Sequence, residues 1–552
     1  MKKYLLGILL VFCMLVCFAP AAMAENERTD IPDNSMPQVY VSSATATDQT
    51  ISKGDDKTGQ GTIESPFASL SLAVDKVAEN GTIYLLTDLT STKYAIVHEK
   101  DIIIDGQGHT ITRGDNFTPQ NDARGGYNPA MIEVANHSTL TLQNITLDDA
   151  FKTEGTEFEL AGDSSDGNGK KVHDGIIASY GDGKATIILD KDTTLKNFGG
   201  LSAVYITGEK GNGATFIMKN GSKICDDSSA ATARKGGYAA IYNHGGTVTM
   251  DEGSSIEDIY GRAIYIDNAG MTTVNGLITD ITSNEVMKLY NGNAGSGFGG
   301  IVSYVDGNAN FVLGSTGHIS NIKSHNDDKV DVAFHLQGGT LKTEKNSKIT
   351  EIDIIGLVDS NGGTIDIAGN ITNCHTQNVF FRMRGGGDVK FLLQKDGRIT
   401  QCSTTDVGII YRNGGKLSIF IDGIIRDVQV GSNFDEYVIY NSNNNSVAGG
   451  ICTITGTITK ISGNGIYIKD PSTVTITGEI SECTGYALHY KPEAPESTVN
   501  IEPGCIIRDN NQGGSQIYVE EYAKDRSANT STQRISIAKD NVTLSNRDIT
   551  LD

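Results

Sequence analysis

Tryptophan is absent from the 552 residues and proline occurs only ten times, so long proline-rich linkers are excluded. Basic side chains are in deficit, 45 Lys and Arg against 67 Asp and Glu, for a net charge of −22. Phosphate-backbone binding rests on clustered Lys and Arg, which sets a nucleic-acid partner aside. Past the N-terminal run Tyr4 to Phe18, no stretch is long and apolar enough to span a bilayer, so no membrane insertion is expected. There is no P-loop, no zinc-spaced Cys/His set, no G-x-S-x-G elbow and no nonapeptide calcium repeat. Glycine, by contrast, is plentiful at 64 residues, which implies frequent turns.

The first 24 residues read as a bacterial-style secretory signal. Lys2 and Lys3 precede the apolar run, and PAAMA before ENE provides an A-x-A site for cleavage after Ala24. Cys17 follows Leu15-Val16 rather than a small residue, which argues against lipid modification. The mature chain is therefore expected outside the cell, secreted or at the surface, either soluble or as the leading part of a longer anchored protein. Residues 25–36 are expected to be a flexible N-terminus, 37–100 a cap, and 101–552 the repetitive body.

That body repeats a phrase. GGTVTMDEGSSIEDI at 245–259 returns as GGTLKTEKNSKITEI at 338–352, GGTIDIAGNITNC at 362–374, GGKLSIFIDGIIRDV at 414–428 and STVTITGEISEC at 472–483. Another strand-like stretch recurs ahead of such phrases: AAIYNH at 239, RAIYID at 262, VAFHLQ at 332, GIIYRN at 408 and GIYIKD at 465. Period-two alternation rich in Val, Ile, Thr and Tyr makes these strands, three per unit. Strands too short to bury a face alone are stable only if the units stack edge to edge in parallel. Gly245 and Gly246 are expected to turn the chain, Val248, Met250, Ile256 and Ile259 to point inward, and Gly253 to bend it again.

The fold class is thus all-β, a right-handed parallel β-helix with three short strands per coil. With SPFASLSLAVDKVAENGTIYL and DIIIDGQGHTITR near its start, the chain resembles the pectin-lyase-like superfamily of exported β-helix proteins over nearly all of its mature length. An amphipathic helix, with Ser65 as N-cap, Pro66 at its first position and Phe67, Leu70, Val74 and Val77 on one face, should plug the open end. Asp105 and His109 read as turn residues.

The last inward position of successive coils is Ile259, Ile281, Ile322, Ile352, Cys374, Cys402, Val428, Ile461 and Cys483. Cysteine stands there for Ile or Val, as a small buried hydrophobe. A Cys374–Cys402 disulfide between neighbouring coils is the main exception to that expectation.

One outward column can be extracted from the first strands: Tyr205, Tyr242, Tyr265, Tyr304, His335, Asp359, Arg382, Tyr411, Tyr440, Tyr467, His489 and Tyr518. Beside it, one residue before the glycine pair, stand His244, Gln337, Asn361, Arg384 and Asn413. Two readings of the column stand together. Like residues on neighbouring rungs stabilise the solenoid. Alternatively, Tyr242, Tyr265, Tyr304, Tyr411, Tyr440 and Tyr467, with Arg384, offer ring faces, hydroxyls and charge to an extended glycan. His335, Asp359 and Arg382 form a candidate catalytic set, able to abstract a proton beside a uronate or protonate a leaving oxygen, against the reading that a solvated strand collects polar residues.

In the resembled lyases and hydrolases, substrate lies along such a sheet beside long loops; here the long links are 113–130, 149–173, 226–237 and 283–299. The R-x-P-x-x-R arginines of pectate lyases and the NTD, GHG and RIK motifs of polygalacturonases are missing. No cofactor is expected. Calcium is an option at the paired acids Asp148-Asp149, Asp226-Asp227 and Asp327-Asp328, which also read as turn residues. The expected partner is a polysaccharide or a glycosylated surface, the expected role recognition. A polysaccharide lyase or glycoside hydrolase and a stalk without ligand are the alternatives, and the oligomeric state is open.

Overall fold

The computed structural model describes residues 36–551 apart from 116, 118–129, 136, 151–174, 180–183, 200–201, 209–212, 227–237, 284–298, 325–330, 385–386, 407, 414–416, 432–436, 443–449, 469–471, 492–497, 520–533, 538–541 and 545–548. The expected signal segment, most of 25–36 and nearly all of the four long links lie outside the described residues.

Strands form where the phrase alternates. Thr247–Met250 is the second strand of its coil, Ser255–Tyr260 the third, and Arg262–Asp267 the first of the next. Each pairs in parallel with its counterpart one coil on, Thr247 with Met271, Ser255 with Leu277 and Ile264 with Ser303. The pattern holds to the last coils, where Thr498 pairs with Arg534 and Ile517 with Ile549. The chain is therefore a parallel β-helix of three-strand coils. Where a corner is gentle the strands run together, as in Gly299–Leu313. Among the described residues, no helix is long and apolar enough to cross a membrane.

Val248, Met250, Ile256 and Ile259 are completely buried, as the alternation requires. Each buried side chain of this size contributes about 1.5–3 kcal/mol by leaving water. Gly245 and Gly253 have φ of +86° and +84°, and a Cβ on Gly246 would stand 2.5 Å from the Ala214 carbonyl oxygen.

Ile256 and Ile259 both face inward although three residues apart, which a straight strand cannot achieve. The residue before the final inward position takes the left-handed conformation: Asp258, Asp280, Asn321, Glu351, Asn373, Gln401, Asp427, Lys460, Glu482 and Asp509 have φ of 50–57°. The last inward column is the one expected, from the Ile259–Ile281–Ile322–Ile352 register through Cys374 and Cys402 to Val428, Ile461 and Cys483. All six cysteines of the body are free thiols, five of them buried. Cys374 and Cys402 are in thiol contact without a bridge. Burial pushes the Cys452 and Cys483 thiols up to about 12.

The helix, α1, spans Leu70–Lys76 and is capped by Ser69, whose hydroxyl accepts from Leu72 N at 3.3 Å. This corrects the expected start at Ser65 and Pro66. Phe67 is held as extended chain: its N–H donates to Tyr40 O at 3.0 Å and its carbonyl accepts from Ser42 N at 2.9 Å. Val77 is likewise past the helix, in extended conformation. Leu70, Ala73 and Val74 join the core at its N-terminal end, and the buried Lys100 ammonium donates to Val74 O and Val77 O where the helix stops.

Candidate functional site

The outward column is in register rung by rung. Tyr205 pairs with Tyr242, Tyr242 with Tyr265, Tyr265 with Tyr304, Tyr304 with His335, His335 with Asp359 and Asp359 with Arg382. Arg382 pairs with Tyr411, and the line continues through Tyr440, Tyr467, His489 and Tyr518. Rungs of a parallel sheet stand about 4.8 Å apart.

At that spacing the rings meet one another. Tyr265 and Tyr304 stack with centroids 5.0 Å apart, Tyr304 stacks on His335 at 4.9 Å, Tyr411 on Tyr440 at 5.2 Å and Tyr440 on Tyr467 at 4.9 Å. Tyr205 meets Tyr242, and Tyr242 meets Tyr265, edge to face. Each such pair adds about 0.5–1.5 kcal/mol beyond its area. The faces expected for a sugar are therefore taken by neighbouring rungs, which leaves edges and hydroxyls. Tyr242 and Tyr467 are buried, while Tyr265, Tyr304, Tyr411 and Tyr440 remain half-buried.

The aromatic line breaks at the charged rungs. The Asp359 carboxylate is fully buried. Arg384 grips it with two hydrogen bonds, Nε to Oδ1 at 2.8 Å and Nη2 to Oδ2. His335 Nδ1 lies 3.2 Å from Oδ2, within ion-pair range but out of hydrogen-bond alignment. Burial pushes the Asp359 pKa up; the approach of His335 and the hydrogen bonds and charge of Arg384 outweigh it, holding the carboxyl below the usual aspartate value. His335 Nε2 faces Gln337 Oε1 at 3.4 Å. The structure thus joins His335, Asp359 and Arg384 in one ionic cluster. Arg382 occupies the following rung, half-buried, with burial the main influence lowering its pKa.

The neighbouring polar column is also real: Thr207, His244 and Asp267 are in register, as are Asp306 and Gln337, and Arg384 and Asn413. Asp267 and Asp306 fall on adjacent rungs because Ile266 pairs with Val305. Asp267 accepts from Tyr242 Oη at 3.2 Å and lies 2.7 Å from His244 Nδ1, a bond that raises the His244 pKa. Asp306 is raised too, by burial first and then by Asp267, against the Gly307 amide and His335. Sequence reasoning missed both acids, although RAIYID and IVSYVD show the same Tyr-x-Asp spacing. It also missed Tyr437, whose hydroxyl meets His489 Nδ1 and whose ring lies 4.9 Å from Tyr467.

Among the described residues, no group of three or more His, Cys, Asp or Glu is arranged to hold a metal. Asp149 holds Arg113 Nε at 2.5 Å and Gly199 N at 3.0 Å, and Asp148 holds Asn197 Nδ2 at 2.9 Å. Asp227, Asp327 and Asp328 lie outside the described residues. Asp105 accepts from Gln107 N at 3.0 Å within its turn.

No protein-family model and no curated protein matches the chain.

Proposed function

We propose an exported protein, secreted or held at a bacterial surface, whose solenoid presents an extended recognition face to a glycan or to a host or neighbouring-cell surface, as an adhesin does. The observation that carries this reading is the unbroken outward column from Tyr205 to Tyr518 beside a second column of acids, amides and Arg384. A rigid row of hydroxyls and charges at a fixed repeat suits an extended ligand that needs no single deep pocket. The resemblance to the pectin-lyase-like superfamily supports the same face.

Catalysis is the second reading. His335 is braced by a carboxylate, and Asp306 takes up a proton more readily than an ordinary aspartate. Against it, Asp359 is sealed and committed to Arg384, so it is not a proton donor.

The test is an array of neutral and uronate glycans probed with residues 25–552. The double variant Tyr411→Phe with Tyr440→Phe keeps the stacked rings and removes two hydroxyls. It should weaken binding about 5- to 150-fold, since each neutral hydrogen bond contributes about 0.5–1.5 kcal/mol. New unsaturated or reducing ends that disappear in His335→Ala would establish the enzyme instead. No binding and no turnover across a broad panel would leave a stalk.

A further inference from the structure

Arg262 opens the first strand of its coil and has no exposed surface. Its guanidinium lies over three tyrosine rings, 4.6 Å from the centroid of Tyr238, 5.4 Å from Tyr265 and 5.3 Å from Tyr304. Nε donates to Gly300 O at 2.7 Å. The other two nitrogens, Nη1 and Nη2, are buried and have no hydrogen-bond partner among the described residues.

An arginine cannot escape this situation by losing its proton, as a buried lysine or histidine can. Ring faces satisfy the plane of the cation but not the N–H groups along its edge. A buried charge whose donors are unpaired costs several kcal/mol unless an anion meets them. Gly261 alone, at φ +146°, links this coil to the one before, whereas the links 226–237 and 283–299 fall immediately before and after.

We propose that the Nη edge of Arg262 is an anion site, and that its ligand is a carboxylate. A planar carboxylate matches the two parallel N–H groups of a guanidinium edge, which a tetrahedral oxyanion fits less closely. The half-buried Tyr265 and Tyr304 belong both to this cage and to the outward column, so a carboxylate bound here sits at one end of the charged rungs. The proposal deepens the recognition reading but stands apart from it, because a free carboxylate would serve as well as a sugar-borne one.

The experiment is thermal unfolding of residues 25–552 with sodium glucuronate, glucose, sodium acetate or sodium sulfate at constant ionic strength, in the native chain, Arg262→Lys and Arg262→Met. Without ligand, Arg262→Met should unfold at a higher temperature than the native chain, since it removes two buried donors without partners and keeps the stem. Acetate or glucuronate should stabilise the native chain, glucose should not, and sulfate should act less. The carboxylate response should be lost in Arg262→Met and reduced about tenfold or more in affinity in Arg262→Lys, which keeps the charge without the fork. A response to glucuronate without one to acetate assigns a sugar-borne source, and a response to both a general carboxylate site. Equal responses in the native chain and Arg262→Met, or none in either, would overturn the proposal. Arg262→Met less stable than the native chain without ligand would overturn it too. Glycan binding on the array that Arg262→Met leaves unchanged, with the carboxylate response lost, would keep the recognition face and assign Arg262 to a free carboxylate.

Discussion

A carboxylate without exposed surface must be held, and at Asp359 it is held from both sides, by His335 on the preceding rung and by Arg384 from the following one. Removing one member of a buried ionic cluster leaves the others unpaired. Asp359→Asn should therefore lower stability by about 3–5 kcal/mol in equilibrium denaturation at pH 7. The pH dependence follows from the depressed carboxyl: its stabilisation is present above the unfolded aspartate value of about 3.9 and disappears as pH falls through the lower folded value. The native chain should thus lose stability in that acid window more steeply than Asp359→Asn. The sequence placed His335, Asp359 and Arg382 on consecutive rungs, because register depends only on counting between glycine pairs and inward residues. It did not reveal that Arg384 grips the carboxylate. Arg382 and Arg384 point from the same face, two residues apart, and only side-chain reach across rungs distinguishes them.

At the scale of the element, the corner before each last inward residue decides whether a coil closes. The alternation made the strands legible and Gly245 and Gly253 marked two turns, but the third bend carries no glycine and was not read. It is built from ordinary residues in the left-handed region, favourable for Asn321 and Asn373 and unfavourable for Glu351, Lys460 and Glu482. Lys460→Asn should raise stability by about 0.5–1 kcal/mol, seen as a higher denaturation midpoint, with Asn373→Lys moving it the other way. An unchanged midpoint in both would mean that the bend is relaxed. The late start of α1 has a similar origin. Ser65-Pro66 is a sound cap in isolation, but pairing of Phe67 with Tyr40 holds the chain extended until Ser69.

Over the whole molecule, the same stacking that fills the interior with isoleucine and cysteine also aligns the outer face. A residue's place on the column fixes its neighbours, so rings stack on rings and the ionic cluster forms where the tyrosines give way. The column thereby stabilises the solenoid first, and any ligand meets what the stacking leaves over. Both the core and the outer columns depend on equivalent residues lying directly above one another along one axis. The most direct test is a pulsed dipolar spin-label distance between Met271 and Ile451, both exposed and on the same outer column of second strands. Labels attached through ketone-bearing unnatural residues leave the native thiols untouched. The register runs from Met271 through Asn310, Thr340, Thr364, Lys390 and Ser418 to Ile451, six rungs. A single distance near 29 Å is expected, at about 4.8 Å per rung, allowing about 5 Å for the label arms. A distance below about 20 Å or above about 40 Å, or a broad spread, would contradict the solenoid and every role assigned to its face.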